Sequence, residues 1–152
     1  MNISFDLDGV IADGHRFFFE ILNWMRLDSK EHAINAELEY YNSRPLKYHP
    51  NLLMAEDDTG VIITARKPWA KSITHSWLKR YGIILPVYFV DPHDEIDWTN
   101  HTEGAKKAAL MKSSLINHLG IDVHFDNNPV LVNTLRVLSP NTKVILAGGE
   151  LM

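Results

Sequence analysis

Ile3-Ser4-Phe5-Asp6-Leu7-Asp8-Gly9-Val10-Ile11 is the stretch on which the reading of this chain turns. A short apolar run leads into two carboxylates one residue apart, and Gly9 then lets the backbone turn. A strand alternates its side chains between two faces, so the two aspartates share a face only if the strand runs on to Asp8. With Gly9 ending the strand, both are expected at its carboxyl end, where open α/β sheets bind their ligands. Two carboxylates so close repel each other unless a cation or a shared proton compensates. A surface turn with two solvated aspartates is the plainer alternative. A calcium loop of the EF-hand kind fits less well, because it needs acids at alternate positions and glycine sixth, whereas the third alternate position here is Val10.

The rest of the chain bounds the answer. At 152 residues it is read as one domain, 1–152, large enough to bury a core. Hydrophobic residues at 45% and charged residues at 22% are ordinary globular values. A net charge of −4 disfavours nucleic acid as a dedicated partner while leaving room for local basic patches. With no cysteine, disulfides, thiolate metal sites and a cysteine nucleophile drop out. A core strand beginning at residue 3 leaves no room for a signal peptide, and no apolar run nears the roughly 20 residues that span a bilayer. The expectation is a soluble, cytoplasmic protein with no membrane partner. Oligomeric state is not legible.

Moving outward, His15–Met25 carries apolar residues at helical spacing (17, 18, 21, 22, 25), and its three consecutive phenylalanines fit core packing better than a ligand pocket. Asp28-Ser29-Lys30-Glu31 resembles a capping box opening a second helix, with Ile34, Leu38 and Tyr41 on one face and Pro45 ending it. Val61-Ile62-Ile63-Thr64 is a buried-strand signal, followed by Ala65-Arg66 and a helix entered through Pro68. Trp69, Ile73, Trp77 and Tyr81 form that helix's apolar stripe, and Lys67, Lys71, Lys79 and Arg80 read as its solvated face. Val87–Val90 is the next strand. Asp91–Gly104 is an acidic loop whose His93, Asp94, Asp97 and His101 have no spacing that gathers them round a metal. A helix over about 105–119 closes at Gly120, the strand Ile121–Phe125 runs into Asp126-Asn127, and Asn128-Pro129 caps the next helix. A last strand covers 143–147. Strands alternating with helices in this way predict an α/β fold: a Rossmann-like, mostly parallel sheet with helices on both faces.

In such a sheet Asp6, Asp8, Thr64 and Asp126 gather at the carboxyl edge, with Lys112 on the helix before Asp126. Hard oxygen ligands for Mg²⁺, a nucleophile, a proton donor, a hydroxyl and a cation are the parts phosphoryl transfer needs.

The chain thereby resembles the haloacid dehalogenase superfamily of phosphohydrolases. Asp6-Leu7-Asp8-Gly9-Val10 matches its first motif and Val61–Thr64 its second, with Thr-Ala-Arg a common continuation. The third is a lysine on the helix before the fourth strand, and the fourth an acidic strand end, here Phe125-Asp126-Asn127. The four, in order, cover nearly the whole chain. The resemblance implies that Asp6 is the nucleophile forming an aspartyl-phosphate and that Asp8 protonates the leaving oxygen and then activates water. It further implies phosphoryl binding by Thr64, Ala65 and Lys112. Mg²⁺ would be held by Asp6, the carbonyl of Asp8, Asp126 and waters. Lys106 and Lys107 compete with Lys112, which is preferred because it lies about one short helix before the acidic strand end. Arg66 and Asn127 are further candidates. Many relatives carry a second acid at the position of Asn127. An amide oxygen still coordinates Mg²⁺, but one charge is lost, which counts against tight binding.

Residues 12–58 fall where one subclass inserts a helical cap, here a small one. Specificity is therefore sought among Asp13, His15, Arg16, Tyr40, Tyr41, Arg44 and Lys47, with Tyr40 and Tyr41 as candidate base-stacking residues. The implied activity is a Mg²⁺-dependent phosphomonoesterase of the 5′-nucleotidase kind, acting on a small phosphorylated substrate such as a nucleotide. A polynucleotide-end phosphatase and a non-catalytic phosphate-binding module are the alternatives. Asp8 argues against dehalogenation, and the short cap against a phosphomutase.

Overall fold

The structure is a computed structural model that describes residues 1–13 and 30–147. The helix expected over His15–Met25 lies outside the described residues, as do Asp28 and Ser29 of the expected capping box. Five strands form one sheet: β1 (Asn2–Phe5), β2 (Thr59–Thr64), β3 (Val87–Phe89), β4 (Val123–Asp126) and β5 (Lys143–Leu146). Their order is β3-β2-β1-β4-β5, and every pairing is parallel. The expected α/β fold is therefore borne out. The chain builds one half of the sheet outward from β1, then returns to lay β4 on its other side. That reversal opens a crevice beyond the carboxyl ends of β1 and β4, the usual ligand position in such sheets.

Four α-helices accompany the strands among the described residues: α1 (Lys30–Asn42), α2 (Lys71–Arg80), α3 (His101–Leu119) and α4 (Pro129–Leu138). Both faces of the sheet are covered. On one, Ile3, Phe5, Ile62 and Phe125 pack with Trp77 and Leu78 of α2. The Phe5 and Phe125 rings, partners in the β1–β4 register, stack with centroids 5.5 Å apart. Trp77 is fully buried and donates Nε1–H to the Arg44 carbonyl at 2.7 Å, so its truncation to alanine is expected to cost about 3–5 kcal/mol. On the other face Ile63 and Val144 meet Ala105, Ala108 and Ile116 of α3 and Leu131, Val132 and Leu135 of α4.

Two local expectations are corrected. α3 begins at His101 rather than near 105, because Asn100 accepts the Glu103 N–H at 3.1 Å and caps it earlier. In α1 the buried positions are Glu37, Tyr40 and Tyr41, while Ile34 and Leu38 stay half-buried. The helix turns a polar group inward because Trp69 donates its Nε1–H to Glu37 at 3.1 Å. The two ends of the segment carrying α1 meet beside the turn after β1, where Ala12 and Leu46 form an isolated antiparallel bridge. Asp13 N–H donates to the Pro45 carbonyl (2.9 Å) and Lys47 N–H to the Ile11 carbonyl (2.7 Å), which ties the two ends together. No described helix is long and apolar enough to cross a membrane.

Candidate active site

The opening motif is a tight turn stitched to the strand before it. Asp6 N–H donates to the Phe125 carbonyl at 2.8 Å, and the Leu7 carbonyl accepts from Ile11 at 3.0 Å and Ala12 at 2.9 Å. Gly9 sits at φ +85°, a left-handed conformation costly for other residues. A Cβ there would lie 2.0 Å from Asn127 Nδ2, so Gly9 is required twice over. The turn delivers Asp6 and Asp8 to a cleft of about 580 Å³, counted to its open mouth, together with Thr64, Arg66, Lys112, Asp126 and Asn127.

Lys112 is the lysine that reaches this cleft. It comes down from α3, almost fully buried, and its Nζ lies 3.0 Å from Asp6 Oδ1 and 2.8 Å from Asp126 Oδ2. Lys106 pairs loosely with Glu103 at 3.8 Å, and Lys107 donates to the Glu95 carbonyl at 3.0 Å; both are exposed. Burial alone would lower the Lys112 pKa, but the charges of Asp126 and Asp6 outweigh it and hold the ammonium above its ordinary range.

Asp126 is saturated with donors. Its Oδ2 accepts from Lys112 and from His124 Nε2 (3.1 Å), and its Oδ1 accepts from the Asn127 N–H (2.9 Å) and, more weakly, the Asn128 N–H (3.4 Å). Burial would raise this carboxyl; Lys112 and His124 overcome it and keep Asp126 below the usual carboxylate range. His124 is wholly buried, which lowers its pKa and keeps it neutral. An ionised Asp126 only accepts, so His124 Nε2 carries the proton, and Nδ1 accepts the hydroxyl of Ser4 at 2.7 Å. Ser4 and His124 face each other in the β1–β4 register, so a polar ladder runs under the site through an otherwise apolar sheet. Asp6 behaves oppositely. Burial first, then the charge of Asp126, push it up to about 8 despite Lys112.

Asp8 is held from the β2 side. Arg66, 3% exposed, donates Nε–H to its Oδ2 (2.9 Å) and Nη2–H to its Oδ1 (2.7 Å), a bidentate clamp. Arg66 also donates to Thr74 Oγ1 at 2.9 Å, and its guanidinium lies 3.7 Å over the Tyr41 ring. Thr64 ends β2 with its Oγ1 accepting the Arg66 N–H at 3.2 Å, and Ala65 lines the cleft beside it.

Among the described residues no three His, Cys, Asp or Glu side chains gather in a metal-ligating cluster. The atoms that do gather are of three kinds. One terminal atom of the Asn127 carboxamide lies 3.1 Å from the Asp8 carbonyl oxygen and 3.2 Å from Asp6 Oδ2. As nitrogen, it donates to both; as oxygen, it completes a trio of oxygens that repel without a cation. Neighbouring ligands of an octahedral Mg²⁺ with bonds of about 2.1 Å stand about 3.0 Å apart, close to the two separations from Asn127. The donor chemistry therefore fits Mg²⁺ at Asp6 and the Asp8 carbonyl, with Asp126 and Asn127 both beside them as further oxygen donors.

Several expected specificity residues are committed elsewhere. Tyr40 and Tyr41 are both 5% exposed; Arg44 lies 3.6 Å over the Tyr40 ring and Arg66 3.7 Å over the Tyr41 ring, and of the two Tyr41 lines the cleft. Arg44 also donates to the Asp13 carbonyl at 3.0 Å, while Lys47 reaches the Gly9 carbonyl at 3.3 Å. His15 and Arg16 lie outside the described residues. Lys67, expected on a solvated face, is half-buried and held by ion pairs with Asp91 (2.9 Å) and Asp94 (2.7 Å). Sequence reasoning missed Trp98 and His101, which line the cleft, and the Ser4–His124 ladder beneath it. The available signals were polar residues interrupting two apolar strands, and aromatics in a loop at the carboxyl edge.

No protein-family model matches this sequence, and no curated protein matches it. Among solved structures, the chain is similar to one from the Pnkp1/Rnl/Hen1 RNA repair complex, with a TM-score of 0.63 and 12% identity. The match covers 97% of this chain and 43% of that chain, so this protein spans less than half its length. At that identity the likeness is one of fold, a parallel α/β sheet.

Proposed function

We propose that this chain is a Mg²⁺-dependent phosphomonoesterase working through an aspartyl-phosphate on Asp6, with small phosphomonoesters, nucleoside monophosphates first, as its substrates. The observation that carries the reading is the meeting in one cleft of Asp6, Asp8, Thr64, Lys112 and Asp126, drawn from three strand ends and a helix. Asp6 Oδ2 belongs to the oxygen trio, which leaves Oδ1, beside Lys112, to attack phosphorus. The ester P–O bond breaks as the acyl-phosphate bond forms, and the leaving oxygen takes a proton from Asp8. Water then attacks the acyl phosphate, giving its proton to Asp8 and releasing inorganic phosphate with Asp6 restored. Lys112 and the Thr64 hydroxyl offer donors to the phosphoryl oxygens. Asp6, the Asp8 carbonyl, Asp126 and the Asn127 amide oxygen would hold Mg²⁺, which would supply positive charge for the transferring group and favour the ionised, nucleophilic Asp6. Asp126 orients Lys112 from behind.

In this reading 12–58 is a small cap, expected from its length to leave the cleft partly open. An open cleft also suits a strand end, and the origin of the fold neighbour in an RNA repair complex supports a polynucleotide-end phosphatase as the second reading. The net charge of −4 weighs against it, because long polyanions need several phosphate contacts. The test is phosphate release from mononucleotides and from 3′- and 5′-phosphorylated oligonucleotides, with Mg²⁺ and with chelator. Metal-dependent release abolished by Asp6→Asn is expected, with higher kcat/KM on the mononucleotide. Wild-type turnover by Asp6→Asn refutes the covalent route, and a much higher kcat/KM on the oligonucleotide makes the second reading the right one.

A further inference from the structure

We infer that Trp98 and His101 form a fixed aromatic wall that binds a flat heteroaromatic group, a nucleobase, on the leaving-group side of the cleft. The inference rests on the phosphomonoesterase reading and adds the contact that selects the substrate's organic part. The pocket's two described cations, Arg66 and Lys112, are both engaged with carboxylates, so the charged lining serves the phosphoryl end. Beyond it the loop after β3 contributes Trp98 and the first residue of α3 contributes His101, their ring centroids 6.2 Å apart and planes at 61°. Such a corner offers one ring to stack on and another at its edge. Every base has a π-face, and this wall has no carboxylate of its own among the lining residues to oppose one.

The wall is built rather than incidental. Asp91, wholly buried, accepts the Glu95 N–H (2.7 Å) and the Ile96 N–H (3.1 Å) and pairs with Lys67 at 2.9 Å. Lys67 also bonds the Ile96 carbonyl and Asp94, which stands at φ +55°. Asp97 Oδ1 accepts both the N–H and the hydroxyl of Thr99, at 2.9 and 2.7 Å, before Asn100 caps α3. Trp98 is seated on Gly104, where a Cβ would come within 2.8 Å of its Cε3. A glycine inside a helix costs up to about 1 kcal/mol relative to alanine, and here it makes the room that holds the indole at the cleft.

Steady-state phosphate release would be compared on a purine nucleoside monophosphate and on glycerol phosphate, which has no ring. Trp98→Ala is expected to raise KM for the nucleotide about tenfold with kcat within twofold, and to leave glycerol phosphate unchanged. Trp98→Phe should restore most of the loss. Trp98→Leu, which still fills the seat over Gly104, should behave like Trp98→Ala and guards against a folding defect. Lys67→Met, which frees the loop, should raise the nucleotide KM alone. Nucleotide binding to the Asp6→Asn protein, by calorimetry, reads the wall without turnover and should weaken about tenfold when Trp98→Leu is added. Equal affinities in that comparison, or equal losses on both substrates, overturn the inference. Absence of phosphate release from either substrate by the wild type overturns the phosphatase reading instead, while the calorimetric comparison still decides the wall.

Discussion

Replacing Asn127 with Asp restores the charge that the amide removes from the proposed metal position, and the structure sets its size. In the cleft the carboxylates of Asp6, Asp8 and Asp126 face two cations, Arg66 and Lys112, leaving a net charge of one negative unit for Mg²⁺ when all are ionised. The variant leaves two. A divalent ion in contact with one more carboxylate gains roughly 15 kcal/mol at an effective dielectric of about 20. Against this, the new charge stands 3.2 Å from Asp6 Oδ2, a repulsion of about 5 kcal/mol at the same dielectric. Removing a carboxylate from water costs several kcal/mol more. These opposing terms are each far larger than the measurable difference between them, and we expect a ten- to hundredfold tighter Mg²⁺ dissociation constant by calorimetry, about 1.4–2.8 kcal/mol. The metal-free protein should move the other way, losing about 1–3 kcal/mol, because the amide N–H bonds to Asp6 and the Asp8 carbonyl vanish and two oxygens are left to repel. Thermal melts with chelator and with saturating Mg²⁺ should therefore straddle the wild type. Unchanged or weaker Mg²⁺ binding would refute a direct role for residue 127.

Asp6→Asn should abolish turnover and also flatten the pH dependence of metal-free stability. Asp6 titrates at about 8 in the fold against an ordinary value of 3.8, so between these limits the folded state holds the extra proton and stability falls as pH rises through the window; melts of both proteins from pH 4 to 8 with chelator measure the difference. Gly9→Ala should cost about 1–2 kcal/mol for the left-handed φ and push Asn127 off Asp6, with loss of activity read by phosphate release. His124→Phe removes one of the donors to Asp126 while keeping an aromatic ring in the sheet; phosphate-release kinetics should show kcat falling about tenfold. His124→Asn should recover part of that loss if its amide N–H reaches Asp126.

What was legible in the sequence is what repeats along a chain. Apolar strand runs and helical stripes gave the alternation that became a parallel sheet, and the strand-end position of Asp6, Thr64 and Asp126 followed from it. What reaches across the chain was not legible. Nothing in the spacing of Asp8 and Arg66, 58 positions apart, says that one clamps the other. The same holds for Ser4 and His124, 120 apart, each of which reads singly as a flaw in a strand. Tyr41, placed by spacing on its helix's apolar face and also a stacking candidate, carries on its ring the guanidinium that holds Asp8. Amphipathic spacing assigns a residue to a face but does not say whether a buried cation already occupies that face.

These cross-chain contacts converge on four residues at the end of β2. Thr64 points its hydroxyl into the cleft's lining and accepts the Arg66 N–H, Arg66 reaches Asp8, and Lys67 reaches the loop that carries Trp98. Arg66 is held by Thr74 and Tyr41 and Lys67 by Asp91 and Asp94, so neither cation moves without breaking at least two contacts. A displacement of this segment would shift Asp8, proposed as the acid–base group, the Thr64 hydroxyl, proposed to bind the phosphoryl, and the proposed aromatic wall together. The three functions are thereby coupled through geometry, and a change to the wall that moved β2 would appear in kcat as well as KM. Leaving kcat untouched while KM rises for ring-bearing substrates alone is thus the signature that separates recognition by Trp98 from a disturbance of the strand end.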